Sequence, residues 1–163
     1  LIEIQKVVEA AFKDEEMSDH TEQELIMKIK ESDAYIPALS LVAVDHTKIV
    51  GHIMMSKIQV MDGQAHHHAL ALAPLSVLPA YQHQGIGSQL IRQAVDMAGR
   101  ADYSSIIVLG HHTYYPKFGF RKASDYGIYP PFDVPEEYFM VLPLDENRLA
   151  NMKGTVKYSS AFE

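Results

Sequence analysis

PAYQHQGIGSQLIRQAVDMAG, residues 79–99, decides how this chain is read. From Gly85 onward, Ile86, Leu90, Ile91, Ala94 and Ala98 recur at helical spacing, and Gly99 with Arg100 reads as the helix end. Gly85 and Gly87 stand at the mouth of that helix. The first backbone N–H groups of a helix have no partner within it, and the helix dipole adds positive charge there. Such an end is a ready anion site, and glycine lets an oxyanion approach where a Cβ would stand in the way. The same two glycines also suit an ordinary tight turn.

The flanks narrow the choice of fold. Upstream, HHHALALAPLSVLP (66–79) reads as a strand, and Pro74 inside it implies a bulge or an unpaired edge. Downstream, SSIIVLG (104–110) is a short apolar run of the kind found in strands buried on both faces. Strand, helix, strand at this spacing predicts a right-handed crossover between parallel strands. Before it, LSLVAV (39–44) and IVGHIMMSKIQV (49–60), joined by DHTK (45–48), predict a hairpin, and MDGQ (61–64) predicts the next turn.

Two helices come first. Ile4, Val7, Val8, Ala11 and Phe12 form one amphipathic face. Thr21 and Glu24 have capping-box spacing ahead of a second face of Leu25, Ile26 and Ile29. Residues 31–38, with Pro37, read as a loop. HHTYYPKFGF (111–120) predicts a short helix or turn, and EYFMVLPL (137–144) a last strand. The order α, α, β, β, β, α, β, α, β predicts one α+β domain over residues 1–163, a mixed sheet with helices on both faces.

Composition excludes several classes. At 163 residues, 47% hydrophobic and 21% charged, the chain suits a globular core rather than disorder. No apolar run approaches the roughly 18 residues of a membrane span, and no signal-peptide pattern is present. The absence of Cys removes disulfides, thiol catalysis and thiolate metal sites, and suits a cytoplasmic location. A net charge of -7 with no basic run argues against nucleic acid as partner. A dinucleotide fingerprint would need a third glycine where Leu90 stands and an acidic residue after the next strand, which ends at Gly110 and His111. No G-x-x-x-x-G-K-[ST] occurs.

Gln82, His83, Gln84, Gly85, Ile86 and Gly87 resemble the acetyl-CoA motif of the GNAT-type N-acetyltransferase superfamily: Gln or Arg, two residues, Gly, one residue, Gly or Ala. YYPKFGF (114–120) resembles that superfamily's Y-x-x-x-G-F element after the next strand. GTVKYSSAF (154–162) is similar to the ending of a bacterial subgroup of small acetyltransferases. The resemblance implies a GNAT-type fold, with a mostly antiparallel mixed sheet and one parallel strand pair that splays apart. It implies direct transfer of acetyl from acetyl-CoA, a co-substrate, to a primary amine of a small molecule or peptide, with no metal. A homodimer is compatible with it. A non-catalytic acyl-CoA sensor of the same fold is the alternative.

Residue by residue, the resemblance implies a diphosphate cradle made by the backbone N–H groups of 83–88, with the Ser88 hydroxyl beside them. Ser76, Val77 and Leu78 match the strand that pairs with the pantetheine arm, and an N–H near Val77 would polarise the acetyl carbonyl. Tyr115 matches the proton donor to the leaving thiolate, with its neighbour Tyr114 as the fallback. Where some members carry a base, Ala71 and Ala73 stand here, leaving a water chain or a carboxylate such as Asp133 or Glu136. The superfamily's fold opens with a strand before the first helix. This chain opens at Leu1, so that strand either precedes Leu1 or is lacking.

The histidines are a separate matter. His66 and His68 would share a strand face, and imidazoles suit zinc, copper or nickel, but HHH (66–68) reads more simply as a polar strand start. His111 and His112 follow a strand's C-terminal end and are expected on the acceptor side. The negative net charge favours a cationic acceptor, such as a polyamine, an aminoglycoside or a peptide N-terminus.

Overall fold

The computed structural model describes residues 1–15, 18 and 20–162. Helices α1 (Ile2–Phe12) and α2 (Glu22–Lys30) come first. Both bury the face that their spacing predicts: Val7 and Val8 on α1, Ile26 and Ile29 on α2. Thr21 is the N-cap of α2, but its side chain makes no cap hydrogen bond, so the capping-box spacing marks the helix start without the box.

Strands β1 (Tyr35–Asp45), β2 (Lys48–Asp62) and β3 (Ala65–Val77) form the antiparallel hairpins. β1 starts inside the segment read as a loop. Its register with β2 jumps between Tyr35 and Ser40, and Pro37 sits in that irregularity, where a missing N–H costs the ladder nothing. Between β2 and β3 the register shifts once, from Ile53↔Leu75 to Met55↔Leu72. The extra residue falls at Ala73 and Pro74, which is the bulge expected there.

α3 (Ile86–Arg100) buries Leu90, Ile91, Ala94 and Ala98. It runs through Gly99, and the left-handed residue after it is Asp102, so Gly99 does not terminate it. β4 (Ser105–Leu109) returns parallel to β3. After it come β5 (Arg121–Lys122), β6 (Ile128–Tyr129), β7 (Phe139–Pro143), α4 (Glu146–Ala150) and β8 (Gly154–Lys157). The sheet order is β5-β7-β4-β3-β2-β8-β6, with β1 also on β2. Every pairing is antiparallel except β3 with β4 and β6 with β8.

The sheet has a core on each face. Ile53, Met55, Leu70, Leu72, Ile106 and Val108 face α3, where they meet Leu90, Ile91 and Ala94. Alternate residues, Ile58, Val60, Ala69, Ala71, Ile107 and Val141, form the second core. Met54 continues that face under Val8, Ile26 and Ile29 of the first two helices. β4 thus contributes to both cores, as its unbroken apolar run predicts. No helix among the described residues is long and apolar enough to cross a membrane.

Candidate active site

The parallel pair β3–β4 is short. It holds at Leu70↔Ile106 and Ala71↔Ile107, and then the strands part. β4 keeps its ladder with β7 through Leu109↔Phe139, and β3 keeps its ladder with β2 through Val77↔Gly51. The facing edges beyond Ala71 and Ile107 are left open. Pro74 lies on that open stretch and has no N–H to offer it.

The direction of the amides along the open edge follows from one hydrogen bond. Leu78 donates its N–H to Val50 O at 2.8 Å, toward β2. Amides alternate in direction along a strand, so the N–H of Val77 faces the open edge, while those of Ser76 and Leu78 face β2. Of the three positions expected along the arm, Val77 is the one with an outward amide. Ser76 is buried, and its hydroxyl has no hydrogen-bond partner.

The glycine turn lies at the end of the same strand. His83 (φ 63°) and Gly85 (φ 84°) are both left-handed, and together they fold the chain back into α3. Gln82 and Gln84 use their side chains to build the turn: Gln82 Nε2 donates to Val77 O at 3.0 Å and Gln84 Nε2 to Ala80 O at 3.4 Å. The N-cap residue Gly85 offers α3 no side-chain cap, and the first turn carries no acidic residue. The first helical bond runs from Gln89 N–H to Gly85 O, so the N–H groups of Ile86, Gly87 and Ser88 point out of the helix end. A Cβ at Gly85 would meet nothing within 4 Å, so the left-handed φ, and not crowding, is what asks for glycine there.

Tyr114 and Tyr115 leave the end of β4 in different directions. The Tyr114 hydroxyl lies 3.0 Å from where a Gly87 Cβ would stand, so it closes on the glycine turn. Tyr115 opens a 3-10 turn (Tyr115–Phe118), and its ring is buried edge-on to Tyr114 (5.2 Å) and Phe120 (5.6 Å). Burial, and secondarily the neighbouring Tyr114, raise the Tyr115 phenol above its ordinary range, so it stays protonated throughout neutral pH.

A pocket of about 750 Å³ opens where the strands part. Ala71, Leu72 and Ala73 of β3 and Ile107 and Leu109 of β4 form its floor. Its walls come from α2 (Glu22, Leu25, Lys28), from Phe132, and from the tail residues Tyr158 and Phe162. The Ala71 and Ala73 side chains cannot take a proton, as expected from the sequence. Asp133 and Glu136 line a different hollow, beside Ile128 and Phe139. Among the described residues, the carboxylate on the wall of the strand-gap pocket is Glu22, which accepts from Ser18 Oγ at 2.5 and 2.6 Å. Nothing in the sequence around Glu22 sets it apart from Glu24, the other acid of α2.

The histidines take other places. His111 is 3.9 Å from Glu15 Oε1 and His112 packs edge-on to Tyr138, and neither lines the strand-gap pocket. His66 Nδ1 pairs with Gln59 Oε1 at 3.1 Å. Among the described residues, no group of three or more His, Asp or Glu is arranged to hold a metal. The buried histidine is His52, whose Nε2 is 3.2 Å from Ser40 Oγ and whose Nδ1 has no partner.

The chain is similar to known proteins in sequence and in fold. Residues 4–120 match the Acetyltransferase (GNAT) family, and the chain belongs to that family. It is 39% identical over 121 residues to YjhQ of Escherichia coli K12, named an uncharacterized N-acetyltransferase. That match covers 72% of this chain and 65% of YjhQ. It is 28% identical over 142 residues to YhbS of the same strain, also named an uncharacterized N-acetyltransferase, covering 86% and 83% of the two chains. Among solved structures, a GNAT family acetyltransferase from Brucella melitensis in complex with acetyl-CoA superposes with a TM-score of 0.81 at 31% identity, over 99% of this chain and 91% of that one. E. coli YhbS in complex with CoA gives a TM-score of 0.84 at 24% identity, over 98% and 86%, and it carries the fold comparison alone.

Proposed function

We propose that the protein transfers acetyl from acetyl-CoA directly to a primary amine. The carrying observation is the open edge of β3, which leads from the glycine turn to the strand-gap pocket. It fits an extended pantetheine arm, with the diphosphate at one end and the thioester at the other. The acetyl-CoA complex of the Brucella relative supports this reading.

In it, the N–H groups of residues 83–88 receive the diphosphate, where the α3 dipole adds to them. The outward Val77 N–H donates to the acetyl carbonyl and stabilises the charge that grows on its oxygen. The amine nitrogen, after losing a proton to water, attacks the carbonyl carbon. A C–N bond forms, the C–S bond breaks, and the electron pair leaves on sulfur. Tyr115 gives its phenolic proton to that thiolate and recovers one through water from the new ammonium nitrogen. The sum is ammonium plus thioester giving amide, thiol and one proton.

Amine-dependent release of free thiol from acetyl-CoA tests the reading. Release that needs both amine and enzyme is the expected result. Tight binding of acetyl-CoA without release to any amine would make the chain an acyl-CoA sensor instead.

A further inference from the structure

The acceptor side of the strand gap has a composition that the whole chain does not share. Among the described residues, the charged side chains on this pocket's wall are Glu22, Lys28 and Lys157. The rest of the lining is mainly apolar. Phe132 and Tyr158 stack with centroids 6.2 Å apart and planes at 18°, and Tyr158 meets Phe162 at 5.0 Å. These rings form a continuous aromatic wall. Leu109 and Phe132 are among the exposed large apolar side chains (each 43% exposed), and both are on this lining. An exposed apolar surface inside a concave site is where a ligand's apolar body gains most.

From these observations, and resting on the acetyltransferase reading, we propose that the acceptor is a monoamine on a flat apolar body, an arylalkylamine. Its ring lies against Phe132, Tyr158 and Phe162, and its amine reaches toward the strand gap at Ala71 and Ala73. Glu22 supplies a negative charge on the wall that an incoming ammonium can meet. A polyamine or an aminoglycoside has no flat apolar body to cover these rings and would bring several ammonium groups to a largely apolar lining. The pocket is also far larger than a short alkylamine needs.

The test compares 2-phenylethylamine and tryptamine with spermidine and kanamycin as acceptors, alongside calorimetric titration of acetyl-CoA. The arylalkylamines should exceed spermidine and kanamycin in kcat/KM by about tenfold or more. Phe132→Ala, at a position that is already 43% exposed, should raise the arylalkylamine KM about fivefold or more and leave the acetyl-CoA KM within about twofold. Phe162→Ala should act in the same direction. Acetyl-CoA binding with faster turnover of spermidine or kanamycin, or with no turnover of either arylalkylamine, overturns the acceptor assignment and leaves the acetyl-CoA reading standing. Faster transfer from octanoyl-CoA than from acetyl-CoA overturns it too, since the wall would then hold the acyl chain. Failure of acetyl-CoA to bind overturns both readings.

Discussion

The ring of Tyr115 lies directly on Gly110, so closely that a Cβ on Gly110 would fall 2.4 Å from Tyr115 Cε2. The ring has little room to retreat, because Phe120 and Tyr114 hold it from two other sides. The last residue of the apolar run before the tyrosine element is therefore small because of the proposed proton donor. Gly110→Ala should displace the ring, lower stability by about 1–3 kcal/mol through overpacking, and reduce kcat. Urea denaturation and steady-state rates of the same variant check both effects. Unchanged stability with unchanged kcat would mean the ring is not held as described.

Tyr115→Phe removes the hydroxyl and keeps the packing. It should lower kcat by about 100-fold or more, the usual range for a lost general acid, with acetyl-CoA affinity within about twofold. Because burial raises the Tyr115 phenol above its ordinary range, this group should cause no loss of rate as pH rises to 9. Tyr114→Phe should affect acetyl-CoA affinity more than kcat, since the Tyr114 hydroxyl closes on Gly87 rather than on the strand gap. The opposite pattern in the two variants would exchange their roles.

His52 sets an acid limit to stability. Burial, helped by the nearby positive charge of Lys30, lowers its pKa from 6.5 to about 4. The unfolded chain therefore binds this proton more readily than the folded one. The folded state keeps its full stability above pH 6.5 and loses it as pH falls toward 4, by on the order of 3 kcal/mol from this group alone. Urea midpoints at pH 7.5, 5.5 and 4.5 should fall in that order. His52→Gln should flatten the slope between pH 6.5 and 4, and an unaltered slope would remove His52 as its source.

Much of this was legible in the sequence, for reasons that can be named. The α3 face, the unbroken apolar run of β4 and the bulge at Pro74 are local patterns, and each produced the element it predicts. The family resemblance rests on two short motifs and a tail, and both motifs lie where the fold brings strand ends together. The two-residue strands β5 and β6 are too short to carry a period, and α4 is held by a cap from Asp145 rather than by a long apolar face. β8 carries no sequence pattern of its own beyond the tail it belongs to, because its place is set by pairing with β2. The pocket wall joins Glu22 to Phe132 and Phe162, and no spacing rule connects residues that far apart. For the same reason His111 and His112, close to the site in sequence, lie off its lining.

Gly87→Ala is the mild version of blocking the turn. Its Cβ would stand 3.0 Å from the Tyr114 hydroxyl, which must shift. Acetyl-CoA affinity should weaken by about tenfold while the fold is retained, since the residue is on the half-exposed first turn. Equal affinity would show that neither the Tyr114 hydroxyl nor the space it faces contributes to binding.

The measurement that bears most directly on the glycine turn is calorimetric titration of acetyl-CoA into the unaltered protein and into folded Gly85→Glu and Gly87→Glu variants. Each variant places a carboxylate at the N-terminus of α3, where the diphosphate is assigned. Micromolar binding to the unaltered protein and its loss in both variants is the predicted result. Absence of binding to the unaltered, folded protein, or equally tight binding in the variants, would contradict the placement of the diphosphate on residues 83–88.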